Sequence, residues 1–273
     1  MRYTIEYWSN NASDAYSTVL TATSPGTASL VIGSNGDTPG AAPVGTFFAK
    51  LPADALAELL RAATAPGFAA GPATESANPG EVIRRLKVVG EGRSEVLRYA
   101  TQASPPDAAF EAAERAALAL AKLVRQHPKQ ALSAETTLRF GPKKHVGVTV
   151  TLTNVGVEAL GIPHPDFWEK HSVTITLTAL RSDVPLAQLG NEHQAFIELS
   201  KDQLSGATPS LSSAPAISIG SLTDLTLTFT ANLSIPAGHY DFWLTLETPL
   251  LDAQGVEVVR AELVSKKQSQ PVH

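Results

Sequence analysis

The chain contains no cysteine and a single methionine in 273 residues. Without thiols it can form no disulfide, no cysteine nucleophile and no cysteine-ligated zinc or iron–sulfur centre. Charge is also sparse, at 17% of residues, and 26 acidic against 21 basic side chains give a net charge of -5. Split at Pro128, the basic residues number 11 before and 10 after, against 12 and 14 acidic ones. Neither half has the cationic excess that holds phosphate backbones, so no nucleic acid is expected as a partner. No apolar run approaches the ~18 residues of a membrane helix, so no membrane insertion is expected either. The opening residues MRYTIEYWSNNASD lack the apolar core of about 7–15 residues that a signal peptide needs. The expected location is the cytoplasm, with export by a signal-independent route left open. Outside a secretory setting, the sequons Asn11-Ala12-Ser13 and Asn232-Leu233-Ser234 are chance matches.

Catalytic signatures are missing too. No Gly-x-Ser-x-Gly elbow is present, and Ser218-Ile219-Gly220-Ser221 is only a turn between strands. Gly90-Glu91-Gly92-Arg93 falls short of both the phosphate-binding loop and the dinucleotide fingerprint, and a hairpin turn accounts for it. Glu111 and Glu114 fall on the exposed side of a helix, where carboxylates are solvated. The sequence therefore offers no catalytic residue, no cofactor-binding residue and no cofactor.

What the chain does contain is two textures, which predict an α+β N-terminal domain over 1–128 and an all-β, immunoglobulin-like sandwich over 129–273. In the first part, Tyr3, Ile5 and Tyr7 alternate with Thr4, Glu6 and Trp8, as in a half-buried strand. Ala28–Ile32 and Thr46–Lys50 read as short strands around the loop GSNGDTPGAAPVG. Leu51-Pro52 opens a helix carrying Leu56, Leu59, Leu60 and Ala63 on one face. Val82–Val89 and Glu95–Ala100 form a hairpin, and Ser104-Pro105-Pro106-Asp107 starts a helix with a hydroxyl cap and an acid in its first turn. The second part shows strict period-two strands of Val, Leu and Phe against Thr: 146–152, 173–178 and 225–230, for about seven strands in all.

Two resemblances follow from particular residues. Asn154-Val155-Gly156 and Ile235-Pro236-Ala237-Gly238-His239-Tyr240 resemble turn signatures of bacterial immunoglobulin-like modules, which implies a fold and no activity. Leu51-Pro52 with Leu56 and Leu59-Leu60, followed by Arg85-Leu86-Lys87-Val88 and the next strand, resemble emfourin-like domains. Those small bacterial proteins include inhibitors of thermolysin-type metalloproteases. The paired glycines of that family's first hairpin are absent, and Asn10-Asn11-Ala12 stands there instead.

GIPHPDFWEKH (161–171) gathers two of the seven histidines with two carboxylates. His164, Asp166 and His171 are chemically suited to zinc, manganese or iron. The prolines flanking His164 forbid a helix and hold the backbone extended, which turns neighbouring side chains apart. The expectation is a stiff loop that binds no metal, with Phe167 or Trp168 closing one end of the sandwich. Rows of threonine are ordinary solvent-facing strand positions.

Exposed aromatics carry the functional expectation. Trp8 lies opposite the apolar face of its strand, and Trp243 opposite Tyr240, Phe242, Leu244 and Leu246. Phe68 sits in APGFAAGPATESANPG (65–80) with no regular apolar period around it, so it is expected to be poorly packed. Trp8, Phe68 and Trp243 are thus the candidate protein-binding residues. The reading is a non-enzymatic factor that binds another protein, in its most specific form an inhibitor or immunity-type protein acting on an enzyme. The alternatives are a metal-binding protein or enzyme with its site in 161–171, and a structural or assembly module.

Overall fold

The computed structural model describes residues 3–10, 16–24, 26–36, 38–40, 42–52, 54–73, 77–78, 81–90, 95–141, 145–185 and 190–272. The turn residues Glu91, Gly92 and Arg93, the sequon Asn11-Ala12-Ser13 and positions 74–76, 79 and 80 of the 65–80 stretch lie outside these. Strands account for 51% of the chain and helices for 15%. Two large antiparallel sheets hold these strands, and among the described residues two α-helices accompany them. This corrects the expectation of an α+β domain followed by an immunoglobulin-like sandwich. Antiparallel pairing does not give way to a new architecture at residue 128, because the strand that begins there belongs to the larger sheet.

Two compact units are present, one of residues 1–33 and 46–129, the other of 34–45 and 130–273. The first contains β1 (Tyr3–Ser9), β2 (Thr18–Thr23), β3 (Thr27–Ile32), β5 (Arg84–Gly90) and β6 (Val96–Ala100), together with most of β4 (Val44–Lys50). Their order is β4-β3-β2-β1-β5-β6. Helices α1 (Ala57–Ala63) and α2 (Ala108–Val124) pack together, and α2 also packs on β3 and β5. Strand register sorts the side chains: Leu30, Leu20, Tyr7, Leu86 and Arg98 form one cross-strand row, while Val31, Val19, Trp8, Arg85 and Tyr99 form the neighbouring row on the opposite face. The first row is buried, along with Phe110, Ala113, Ala117, Leu120 and Val124 of α2. The second row is only partly covered.

Local chemistry differs from expectation at three points here. The helix after Leu51-Pro52 begins only at Ala57, preceded by turns. The cap of α2 is Asp107 itself, whose carboxylate accepts from the Phe110 N–H at 2.9 Å, rather than Ser104. β2 went unrecognised in the sequence, although Leu20 and Ala22 alternate inward among Val19, Thr21 and Thr23.

The second unit is a β-sandwich. One layer has β7 (Pro128–Phe140), β8 (His145–Asn154), β14 (Asp224–Asn232) and β12 (Leu204–Thr208), in the order β12-β14-β8-β7. The other runs β11-β10-β15-β9-β13, from β9 (Leu160–Pro163), β10 (Thr174–Arg181), β11 (Gln194–Glu198), β13 (Ala216–Ile219) and β15 (Gly238–Leu251). β16 (Glu257–Val264) and β17 (Gln268–Val272) also pair with β15. Val146, Val148, Val150, Leu152, Leu225, Leu227 and Phe229 from the first layer share one core with Ile175, Leu177, Tyr240, Phe242, Leu244 and Leu246 from the second. Among the described residues eleven strands begin at or after Pro128, against an expectation of about seven. The extra ones are short, such as β9 and β13 at four residues each. Such pieces are too brief to declare a period.

Candidate protein-binding surface

Trp8 lies at the middle of its cross-strand row, between Val19 on β2 and Arg85 on β5, with Tyr99 beyond Arg85. The Arg85 guanidinium lies 5.2 Å from the centroid of the Trp8 ring and also pairs with Glu6. Lys87 and Glu95 add a second ion pair at 3.0 Å. The result is a half-buried tryptophan beneath a guanidinium, with β-branched and aromatic neighbours. A cation over an aromatic face contributes about 0.5–1 kcal/mol at an exposed site. Sequence reasoning named Trp8 but missed Arg85 and Tyr99; the alternation within 84–89 and 96–100 carried the signal, and only the register joined it to Trp8.

Beneath this face lies a polar cluster. The Tyr7 hydroxyl donates to Glu114 at 3.1 Å, and Arg84 meets the other oxygen of that carboxylate at 2.9 Å. Glu114 is buried, which corrects its reading as a solvated helix residue. The i, i+3, i+4 rule put it outside, but two partners from neighbouring strands make burial possible. Burial first, and the Glu114 carboxylate second, push the Tyr7 phenol far above its ordinary range. It donates to the carboxylate as a neutral group.

Phe68 departs from expectation. It is 1% exposed in a short 3-10 turn (Phe68–Ala70), with the Arg98 guanidinium 5.2 Å from its ring and 5.6 Å from that of Phe110. Arg98 is itself 1% exposed and bidentate to Asp107, at 3.2 and 3.0 Å. Phe68 is core, and as a docking residue it has nothing to offer. No apolar period marked it because its packing partner is a cation. A small apolar cavity of about 170 Å³ lies beside it, lined by Tyr3, Ala63, Pro66, Val88 and Val96 among others.

Trp243 is half-buried on the outer face of β15, with Lys267 Nζ 4.8 Å from its ring centroid; Tyr240, Phe242, Leu244 and Leu246 alternate inward. It belongs to the second unit, and Trp8 to the first.

The 161–171 stretch contains β9 and a 3-10 turn over Pro165–Phe167, where only a loop was expected; proline suits the first position of such a turn. Trp168 is buried in the sandwich core, 6.2 Å from Phe229, and its indole N–H donates to the Pro163 carbonyl at 3.1 Å. His164 Nδ1 accepts from the Asp166 N–H at 3.2 Å and lies 3.3 Å from its carboxylate. Lys201 also bonds Asp166 and holds its carboxyl below the ordinary range. Among the described residues no three His, Asp or Glu side chains gather as a metal ion requires.

No family model matches the chain, and no curated protein matches it. Nothing found therefore ties residues 1–128 to emfourin-like domains. Among solved structures it is similar to a putative ApaA protein from Bordetella pertussis, at 9% identity and a TM-score of 0.30, over 52% of this chain and 94% of that one. Bacterial adhesin domains also appear. The collagen adhesin of S. aureus matches at 7% identity and a TM-score of 0.21, over 98% of this chain and 83% of that one. A thioester domain of an Enterococcus faecium protein matches at 9% and 0.19, over 98% and 96%. Likenesses this faint carry no argument about function.

Proposed function

We propose that this chain is a non-enzymatic protein-binding factor and that its partner docks on the Trp8 face of the first unit. One observation carries the reading: Trp8 stands half-buried at the centre of a row with Arg85 over its ring and Val19 and Tyr99 on either side. Tryptophan, tyrosine and arginine dominate the residues that supply binding energy at interfaces. A ring already fixed by its neighbours loses little entropy on docking. The emfourin-like residues of 1–128 make an enzyme the favoured partner, with the chain acting as its inhibitor or as an immunity-type protein. No described helix is long and apolar enough to cross a membrane, and a cytoplasmic setting completes the proposal.

The test is affinity capture from a lysate of the source organism with three baits: wild type, Trp8→Ala and Trp243→Ala. A protein retained by wild type and by Trp243→Ala, but lost with Trp8→Ala, supports the reading. A protein held equally by all three baits contradicts it.

A further inference from the structure

β7 is paired along one side only for much of its length. Leu132–Phe140 pair with Asn154–Val146 of β8. On the other side β4 accompanies only the beginning of the strand. Gly45 lies against Gln130 and Ala131, and the Phe48 N–H donates to the His127 carbonyl at 3.0 Å. The Ala131 carbonyl accepts from Val155 on the β8 side at 2.9 Å, so odd-numbered residues turn their backbone groups to β8 and even-numbered ones away from it. Ala134, Thr136 and Leu138 therefore turn theirs away from β8; Ala134, 1% exposed, is covered there, and Thr136 and Leu138 are each 9% exposed. The Thr136 carbonyl is bonded by the side-chain amide of Gln268. A cleft of about 390 Å³ follows this edge, lined by Gly40, Ala134, Glu135, Thr136, Lys266 and Gln268.

The side chains on the outer face of this edge are Glu135, Thr137 and Arg139, all exposed. A strand side with no neighbouring strand is a template for another strand, and this one is complementary to itself. We infer that a second copy of this chain adds antiparallel to β7 about a two-fold axis through Thr137. In that register Thr136 exchanges backbone bonds with the partner's Leu138, and Thr137 faces the partner's Thr137. Glu135 then lies directly opposite the partner's Arg139, and symmetry repeats the ion pair. Opposite charges across a strand pair are stabilising, and like charges are not. A slip of two residues loses both pairs, and a slip of four sets Glu135 against the partner's Glu135 or Arg139 against the partner's Arg139. The charges thus select one register. Gln268 occupies the place of the incoming N–H at Thr136, so it caps the edge in the single chain and yields when the strand arrives. Five paired residues are a short interface, and the association is correspondingly weak and concentration-dependent.

Sedimentation velocity on the full chain, over a concentration series, tests this with charge-reversed variants. Wild type is expected to show a reversible dimer. Glu135→Arg and Arg139→Glu should each weaken it at least about tenfold, and the two together should restore it to within about threefold of wild type. Gln268→Ala should strengthen it. Because the chain has no cysteine of its own, Thr137→Cys supplies a single thiol at a facing pair whose Cα atoms lie about 4.5 Å apart, within disulfide reach. Mild oxidation should link it into a covalent dimer, and Ser133→Cys should not link. A wild-type chain that stays monomeric at its highest soluble concentration overturns the inference. So does a dimer indifferent to both charge reversals.

Discussion

Asn35 bonds both backbone groups of Val264 with its side chain alone: Nδ2 donates to the carbonyl at 3.2 Å, and Oδ1 accepts from the N–H at 2.6 Å. Nδ2 also reaches the Ala42 carbonyl at 3.1 Å, and the Asn35 N–H donates to Glu262 at 3.2 Å. A carboxamide thus closes the edge of β16 as a neighbouring strand would, and Ser34–Gly45 belongs to the second unit. Asn35 is 3% exposed, so water cannot replace it. Asn35→Ala should cost about 3 kcal/mol in chemical denaturation, from buried groups left unpaired. A loss below about 1 kcal/mol would mean that the segment is held by its backbone bonds instead.

The Arg98–Asp107 pair gives a pH dependence of definite sign. Hydrogen bonds from Arg98, then from the Phe110 N–H, hold the Asp107 carboxyl below its ordinary range. A depressed carboxyl contributes stability that is present above its unfolded value, near 3.9, and lost as pH falls through the lower folded value. Asn caps a helix as well as Asp does, so Asp107→Asn keeps the cap while removing the charge. The stability gap between wild type and Asp107→Asn should be full at neutral pH and shrink below about pH 4. Asp107→Ala should lose about 1 kcal/mol more, at every pH, for the missing cap. A gap that does not change with acid would remove the charge from the account.

Gly71 lies against the same guanidinium. A Cβ there would sit 1.8 Å from the Arg98 side chain, which Phe68 and Phe110 prevent from moving aside. Gly71→Ala should therefore cost about 1–3 kcal/mol by overpacking, read from urea unfolding. A neutral result would show that Arg98 can leave its aromatic slot.

Much of the sandwich was legible because a strand with one buried face declares itself: Val146–Leu152 and Leu225–Phe229 alternate with threonine and are found paired, Leu225 opposite Leu152 and Leu227 opposite Val150. Phe68 was misread because a buried arginine packs it, and the apolar patterns used to find cores do not register a cation. Asn35 was hidden in a glycine- and proline-rich loop whose composition gives no sign that its amide substitutes for a strand. Of the candidate surface, Trp8 could be placed from its own strand. Arg85 and Tyr99 required the register of β5 and β6, a relation between distant segments that no local period contains.

The two tryptophans of the second unit should respond differently to truncation. Trp168 is inside the core and Trp243 is on an outer face. Trp168→Ala should cost about 3–5 kcal/mol, and Trp243→Ala about 1 kcal/mol, mostly from the lost contact with Lys267. Thermal and urea unfolding of both variants measures this. Equal losses would mean that Trp243 is structural.

The most direct test of the Trp8 face is the affinity of a captured partner for purified wild type, Trp8→Ala, Arg85→Ala and Trp243→Ala, measured by titration calorimetry. Trp8→Ala should weaken binding by at least about thirtyfold, equivalent to about 2 kcal/mol. Arg85→Ala should weaken it by about tenfold through the loss of the group that holds the ring, and Trp243→Ala should stay within about threefold of wild type. Unchanged affinity in a folded Trp8→Ala protein would contradict the account.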